Sequence, residues 1–324
     1  MSLNHKPIEI KEKDLGLRLD KFLQLRFKNL NFLNIQKLIR TGQIRVDGKR
    51  VVGSKRLELG NLIRVPYVYR IINKRKYIVF QPLDKFWQDI IDNNIIYKDK
   101  DILVINKPSG VAVQGGSKIK NHIDNKLDYF RFDSPYRPQL LHRLDKDTSG
   151  VLVLSRNPET TKRLGYAFKN RNINKIYWAL IVGHLPKIKG SINLPLAEVK
   201  SKNFERTSHI SSGKEAITKY TVLWKGKYKK IKISLVEFEP KTGRKHQIRA
   251  HCNSLGCNIL GDKKYNIMKN KIGSLDKFMD QMHLHAKEIG LPDYQDETVR
   301  IVSPIPVHMK NILKELNLLN FIEE

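Results

Sequence analysis

Residues 139–157 read QLLHRLDKDTSGVLVLSRN, and the centre, Asp145-Lys146-Asp147-Thr148-Ser149-Gly150, sets two carboxylates, two hydroxyls and a glycine between apolar runs. Such a stretch suits a cation loop, a polar turn or the mouth of an active site. A helix–loop–helix calcium loop needs oxygen ligands at positions 1, 3 and 5, glycine at 6 and a bidentate Glu at 12. Asp145, Asp147, Ser149 and Gly150 fit the first half, but position 12 is Arg156 and the residues after Gly150 read as a strand. Calcium is excluded; the turn and the active site stay open on these residues alone.

Two further stretches carry reactive side chains. In EPKTGRKHQIRAHCNSLG, residues 239–256, Ile248, His251, Cys252 and Leu255 fall at i, i+3, i+4 and i+7, and Gly256 closes the run. That spacing predicts a helix beginning near Lys245 with one buried stripe. His251, Cys252 and Cys257, with His246 nearby, resemble zinc ligands in type only, because Cys252 belongs to the stripe and no C-x-x-C knuckle is present. Arg249 lies beside the stripe, where a half-buried guanidinium needs a carboxylate partner. Asp145 is a candidate, although sequence alone does not pair them. In KIYWALIVGH, residues 175–184, a strand puts Ile176, Trp178, Leu180 and Val182 on one apolar face. Tyr177 falls on the other face with Lys175 and Ala179, a candidate for ligand contact.

The elements that must position these residues follow from composition and pattern. The chain has 324 residues, long enough for two domains, and a formal charge of +29 that points to a polyanionic partner. Two cysteines exclude a disulfide scaffold and fit a reducing compartment. The first residues lack the apolar run of a signal peptide, and no stretch approaches the roughly 20 apolar residues of a membrane span. The expectation is a cytoplasmic protein without a membrane partner.

Residues 16–66 read as a small separate unit. Leu19, Phe22, Leu23 and Phe27 mark one amphipathic helix, Phe32, Ile35, Leu38 and Ile39 a second, and Gly42 suits a C-terminal cap. QIRVDGKRVV then reads as a hairpin turning at Asp47-Gly48. This unit holds twelve Lys and Arg against three acidic residues, a net +9 suited to a phosphate backbone. Its sequence resembles the S4 RNA-binding domain, with Lys21, Arg40, Arg45 and Lys49 as expected RNA contacts. Residues 67–90 read as a basic connector. Residues 91–322 alternate strands (ILVINK, VLVLSRN, IYWALIVG, KKIKISLVEFEP) with short helices, ending in a helix striped by Met309, Leu313 and Leu316. The fold class expected is α+β, a small S4-type unit followed by a domain on a mostly antiparallel sheet.

Five motifs then occur in a familiar order: NKPSG at 106–110, HRLDKDTSG at 142–150, KIYWALIVG at 175–183, TGRKHQIRAH at 242–251 and LHA at 284–286. Together they resemble the RluA-type pseudouridine synthases of ribosomal and transfer RNA, and with the S4-like unit the resemblance spans essentially the whole chain. Within that family the pattern is most like the C branch, which acts on large-subunit (23S) rRNA; the D branch, also S4-bearing, is the competitor. One departure is Asn266, where the family has Gly after GDKKY.

The resemblance implies that Asp145 is the catalytic aspartate, acting as nucleophile at C1′ or as base at the ribose. Either role needs an ionised carboxylate, which burial opposes and a neighbouring guanidinium favours; the family places Arg249 there. Tyr177 is expected to stack on the base and help remove the C5 proton, and Leu284 to wall the detached base. Arg143 lies where the family fills the space left by the flipped nucleotide, and Arg244 is a further RNA contact. Asp147 is expected to bond local backbone instead. The isomerisation gains no electrons or groups, so no cofactor or metal is expected, and the strongly basic surface suggests a monomer. Two rival readings are a non-catalytic ribosome-associated RNA binder and a glycosidase. The intact set of Asp145, Tyr177 and Arg249 disfavours the first, and the lack of a second acid in a comparable motif disfavours the other.

Overall fold

A computed structural model describes residues 7–27, 30, 32–66, 83–115, 121–200, 205–265, 273–294 and 297–323. Residues 67–82 of the expected connector, and Asn266, lie outside the described residues. The chain divides into two compact units, Met1–Pro82 and Leu83–Glu324.

The first unit contains β1 (Ile8–Glu9), α1 (Leu19–Arg26), α2 (Phe32–Arg40), β2 (Arg45–Val46) and β3 (Leu62–Arg64). Leu19, Phe22, Leu23 and Phe27 are buried together with Ile35, Leu38 and Ile39, as their spacing predicts, whereas Phe32 is exposed. The expected turn forms but does not extend. Asp47 and Gly48 take its positive φ values, 49° and 75°, and Val46 and Lys49 exchange both backbone hydrogen bonds across it (3.2 and 2.9 Å), but β2 then pairs with β3 rather than with residues 51–52. The Asp47 carboxylate accepts from the Leu62 backbone at 2.7 Å and from Asn61 at 2.8 Å, tying the turn to the distant strand. On the other side of β3, β1 adds a strand that lies before residue 16, in the sheet order β1-β3-β2.

The second unit opens with α3 (Lys85–Asn93), where the sequence suggested connector. Asp84 caps it by accepting from the Trp87 backbone at 3.0 Å. Trp87, Ile90 and Ile91 supply its buried stripe. Next come β4 (Ile95–Lys98), β5 (Ile102–Lys107), β6 (Gln139–Leu140), β7 (Ser149–Ser155), α4 (Pro158–Lys169), β8 (Asn174–Val182), β9 (Lys189–Asn193), β10 (Leu196–Lys200) and β11 (Glu205–His209). They are followed by β12 (Ile217–Tyr228), β13 (Ile231–Pro240), α5 (Gln247–Ser254), β14 (Leu284–Tyr294), β15 (Glu297–Val302) and α6 (Val307–Glu315).

Strands β4-β5-β7-β14-β8-β13-β12-β9 form one sheet in that order, with β15 on β14 and β6 on β7. Among the described residues, the β7–β14 pairing is the one parallel pairing. Both faces of the sheet are covered. Trp178 and Leu180 of β8 pack against Met309, Ile312 and Leu313 of α6, while Ala179 and Ile181 pack under Ile248 and Cys252 of α5. The face that carries Tyr177 is thus a second core layer, not a bare surface, because α5 folds back across it.

One row of residues crosses four strands: Gly150 of β7 opposite Ala286 of β14, Ala286 opposite Tyr177 of β8, and Tyr177 opposite Phe238 of β13. Gly150 has φ of +106°, and a Cβ there would collide with the Ala286 carbonyl. The glycine after Thr148-Ser149 is therefore the condition for β7 to approach β14 so closely.

Candidate active site

Asp145 sits in the turn that feeds β7, closed by the Thr148 backbone donating to the Asp145 carbonyl at 3.2 Å. The NKPSG segment holds this turn from below. Lys107, fully buried, donates from Nζ to the carbonyls of Pro108 (2.7 Å), Val111 (2.8 Å) and Lys146 (3.0 Å). Burial pushes the Lys107 ammonium down to about 7, opposed by the charges of Asp147 and Asp145. Ser109 Oγ donates to the Asp147 carbonyl at 2.8 Å, and the Gly110 backbone to that of Lys146 at 3.0 Å. Asp147 thus joins the local network through its backbone, and its side chain is exposed.

His142 anchors the turn's other end. Its Nε2 accepts from the Val153 backbone at 3.0 Å, and its ring stacks on Phe168 of α4. Where β7 begins, the Ser149 hydroxyl meets His285 Nδ1 at 2.9 Å. His285 Nε2 faces the Ser303 carbonyl at 3.5 Å, so Nε2 carries the ring proton and Nδ1 accepts from Ser149.

Arg249, in the first turn of α5 and 5% exposed, reaches Asp145 from the opposite wall. Its Nη1 donates to Asp145 Oδ2 at 3.2 Å. Nε and Nη2 are both taken up by Asp262, Oδ2 and Oδ1 respectively, at 2.7 Å each. Burial disfavours the Arg249 charge, but the hydrogen bonds and charge of Asp262, with Asp145, more than offset it and raise its pKa. Asp262 is itself fully buried and also accepts from the backbones of Lys264 and Tyr265. The guanidinium is clamped along one edge and offers Nη1 to a carboxylate that is 29% exposed. That arrangement fixes the direction of a carboxylate left partly open to solvent.

Asp145, Tyr177, Arg249 and Leu284 line one cavity of about 460 Å³, with Arg143 and Arg244 on the same walls. A second hollow of about 860 Å³ shares Arg143, Asp145, Arg244 and Arg249 and adds Lys146 and Lys263. Tyr177 is half-buried, and burial, then the Asp145 charge, raises its phenol pKa above the ordinary value. Leu284 is buried at the start of β14 and contributes the apolar wall. Arg143 is exposed between the two hollows. In the first unit Lys21, Arg40 and Lys49 are exposed, while Arg45 spends its guanidinium on the carbonyls of Gly42 (3.1 Å) and Gly48 (3.3 Å).

The sequence reading missed three residues of this site. Lys107 stands in the quoted NKPSG and Asp262 in GDKKY, but no local pattern says which carbonyls or guanidinium they meet. His246, set aside with zinc, has Nε2 3.7 Å from Asp145 Oδ2.

A family model described as RNA pseudouridylate synthase matches residues 101–254. The chain is 35% identical, over 95% of its length and 96% of that protein's, to the ribosomal large subunit pseudouridine synthase C of Buchnera aphidicola subsp. Baizongia pistaciae. It is 29% identical, over 95% and 96%, to the protein of that name from Vibrio cholerae. Among solved structures, Human RNA Pseudouridylate Synthase Domain Containing 4 superposes with a TM-score of 0.60 at 27% identity, covering 72% of this chain and 96% of that one. The fold is that of the pseudouridine synthases, α+β on a large, mostly antiparallel sheet.

Leu284, the wall, is flanked by His283 and His285, both fully buried, and burial pushes each down to about 3. An unfolded histidine titrates near 6.5. Each therefore contributes stability that is fully present above about pH 6.5 and is lost as pH falls toward 3. Urea unfolding between pH 7 and 4.5 should show stability dropping by up to about 1.4 kcal/mol per pH unit for each histidine. A His285→Asn variant should show a shallower slope than the parent.

Proposed function

The chain belongs to the RNA pseudouridylate synthase family, and we propose that it converts uridines of large-subunit ribosomal RNA to pseudouridine with Asp145 as the reacting carboxylate. The observation that carries this reading is the meeting of Asp145, Arg249, Tyr177 and Leu284 on one cavity, with Arg249 donating to Asp145 at 3.2 Å. The ribosomal target is taken from the relatives named above, which match over nearly the full length of this chain.

The reaction breaks the N1–C1′ bond, turns the detached base and joins C5 to C1′; C5 loses a proton and N1 gains one. Asp145 acts at the ribose, by attack on C1′ or by proton abstraction, and in both roles Arg249 fixes the carboxylate's direction. Tyr177 and Leu284 bracket the base while it is free. A phenol with a raised pKa enters neutral, so its ring face serves before its proton does. The target must leave the RNA stack to reach this cavity, and Arg143, which is exposed, fills the space it leaves. The two basic hollows on either side of Arg143 suit the flanking phosphates.

The first unit acts as an S4-type RNA-binding domain, two helices on a small sheet with Lys21, Arg40 and Lys49 exposed. The protein works as a monomer in the cytoplasm and uses no cofactor. Among the described residues no helix is long and apolar enough to cross a membrane.

Pseudouridine mapping of large-subunit rRNA by carbodiimide and reverse-transcription stops should lose discrete sites when the gene is removed. The wild type should restore them, and Asp145→Asn should leave them below about one thousandth of that level while still binding RNA. Unchanged large-subunit sites would refute the ribosomal target, and restoration by Asp145→Asn would refute the role of Asp145. Among the described residues the first unit has its own buried core, from Ile10 to Val65, and the second has separate clusters of its own, so removing Met1–Pro82 should leave a folded second unit. We expect that truncation to weaken rRNA binding and to flatten the salt dependence by about 2 to 3 in the log–log slope, the change that follows when three phosphates are no longer neutralised.

A further inference from the structure

His246 stands at the entry to α5 with φ of +52°, a left-handed conformation uncommon for non-glycine residues. It lines the cavity beside Asp145. Its Nδ1 lies 3.1 Å from the Tyr265 hydroxyl. That hydroxyl already accepts from the Thr207 backbone N–H at 3.0 Å and donates to the Thr207 carbonyl at 2.9 Å. A phenol has one proton to give. With it committed to Thr207, the contact with His246 is a hydrogen bond only if Nδ1–H is the donor.

A neutral imidazole has one ring proton, so Nε2 is then bare. It faces Asp145 Oδ2 at 3.7 Å. Two acceptors at that distance satisfy neither each other nor themselves; the gap asks for a donor. Burial, with the nearby cations of Arg249, Lys264 and Lys245, keeps a second proton off the ring and brings its pKa to about 4, although Asp145 pulls the other way.

We propose that His246 is a ribose-binding residue whose Nε2 accepts a hydrogen bond from the 2′-hydroxyl of the target uridine, turning the sugar so that Asp145 meets its reacting carbon. The inference rests on the reading of Asp145 as the carboxylate that acts at the ribose. Whether Asp145 reacts at C1′ or removes a ribose proton, the 2′-oxygen is only two covalent bonds from C1′. It must therefore enter the space between Asp145 and its neighbours. The 2′-hydroxyl is also the donor that RNA has and DNA lacks, so His246 would contribute to the choice of RNA.

The test uses an rRNA fragment that the full-length wild-type protein modifies, prepared with uridine, 2′-deoxyuridine or 2′-fluorouridine at the target. The readout is the single-turnover rate of pseudouridine formation. Wild type should lose about tenfold or more on either analogue. His246→Phe should lose a similar factor on uridine and less than about twofold more on 2′-deoxyuridine, because the partner of the missing hydroxyl is already gone. A wild type indifferent to the 2′ group, or a His246→Phe variant that keeps the whole 2′ penalty, would overturn the proposal.

If thermal melting shows that His246→Phe does not fold, His246→Leu, which also lacks an acceptor, is read by the same criterion. Independently, ¹⁵N shifts of the wild-type ring should report Nδ1 protonated and Nε2 bare from pH 6 to 8; the opposite tautomer would also overturn it. Conversion of the uridine fragment by Asp145→Asn would instead remove the reading of the site beneath the inference, and the inference with it.

Discussion

The chain of charge from Asp262 through Arg249 to Asp145 is the constraint on which the site depends. Asp262 is wholly buried and Arg249 nearly so, and neither charge could be left there alone; removing one partner of a buried pair costs on the order of 3–5 kcal/mol. The planar guanidinium makes the arrangement possible, because it takes a bidentate carboxylate on one edge and still has Nη1 for Asp145. A lysine ammonium has neither the planar fork nor the fixed direction. Three segments are fixed by this one group: the first turn of α5, the turn holding Asp262 shortly after it, and the turn holding Asp145 about a hundred residues earlier.

The Asp145 turn must then be held from its own side, and here the fold uses backbone carbonyls more than side chains. Lys107 draws three of them together in a buried space, and Ser109 and Gly110 add their own hydrogen bonds to the same turn. Above the turn, β7 comes close to β14 because Gly150 has no side chain, and that approach sets Ala286 and Tyr177 in one row with it. A sheet covered on both faces gives these strands little freedom to shift. The residues that line the cavity therefore stand on a rigid frame, while the Asp145 carboxylate keeps some exposure.

Much of this was legible in the sequence where a single element sufficed. Spacing alone placed Ile248 and Cys252 in a buried stripe and Arg249 beside it, and the strand period put Tyr177 opposite Trp178 and Leu180. The family motifs brought Asp145, Tyr177, Arg249 and Leu284 together by resemblance, and they line one cavity. What the sequence hid depends on tertiary partners. The strand period set Tyr177 opposite the apolar face but could not show that its own face is also covered, because nothing local shows α5 folding across it. Asp47-Gly48 makes its turn between Val46 and Lys49, but the pairing stops there and Asp47 ties the turn to Asn61 and Leu62. Lys107, Asp262 and His246 carry their roles only through residues that the chain brings from elsewhere, so no window of sequence could announce them.

The most direct measurement is the single-turnover rate of pseudouridine formation by Asp262→Asn, alongside its RNA affinity, in protein shown to be folded by near-ultraviolet circular dichroism. Asp262 lines neither hollow, so in this account it acts only by aiming Arg249 at Asp145. The account predicts a rate lower by about a hundredfold, as expected when a reacting group is misplaced by about an ångström, with RNA affinity unchanged. A folded Asp262→Asn protein that turns over at the wild-type rate would contradict it, because the buried ion pair would then be scaffolding with no hold on the chemistry.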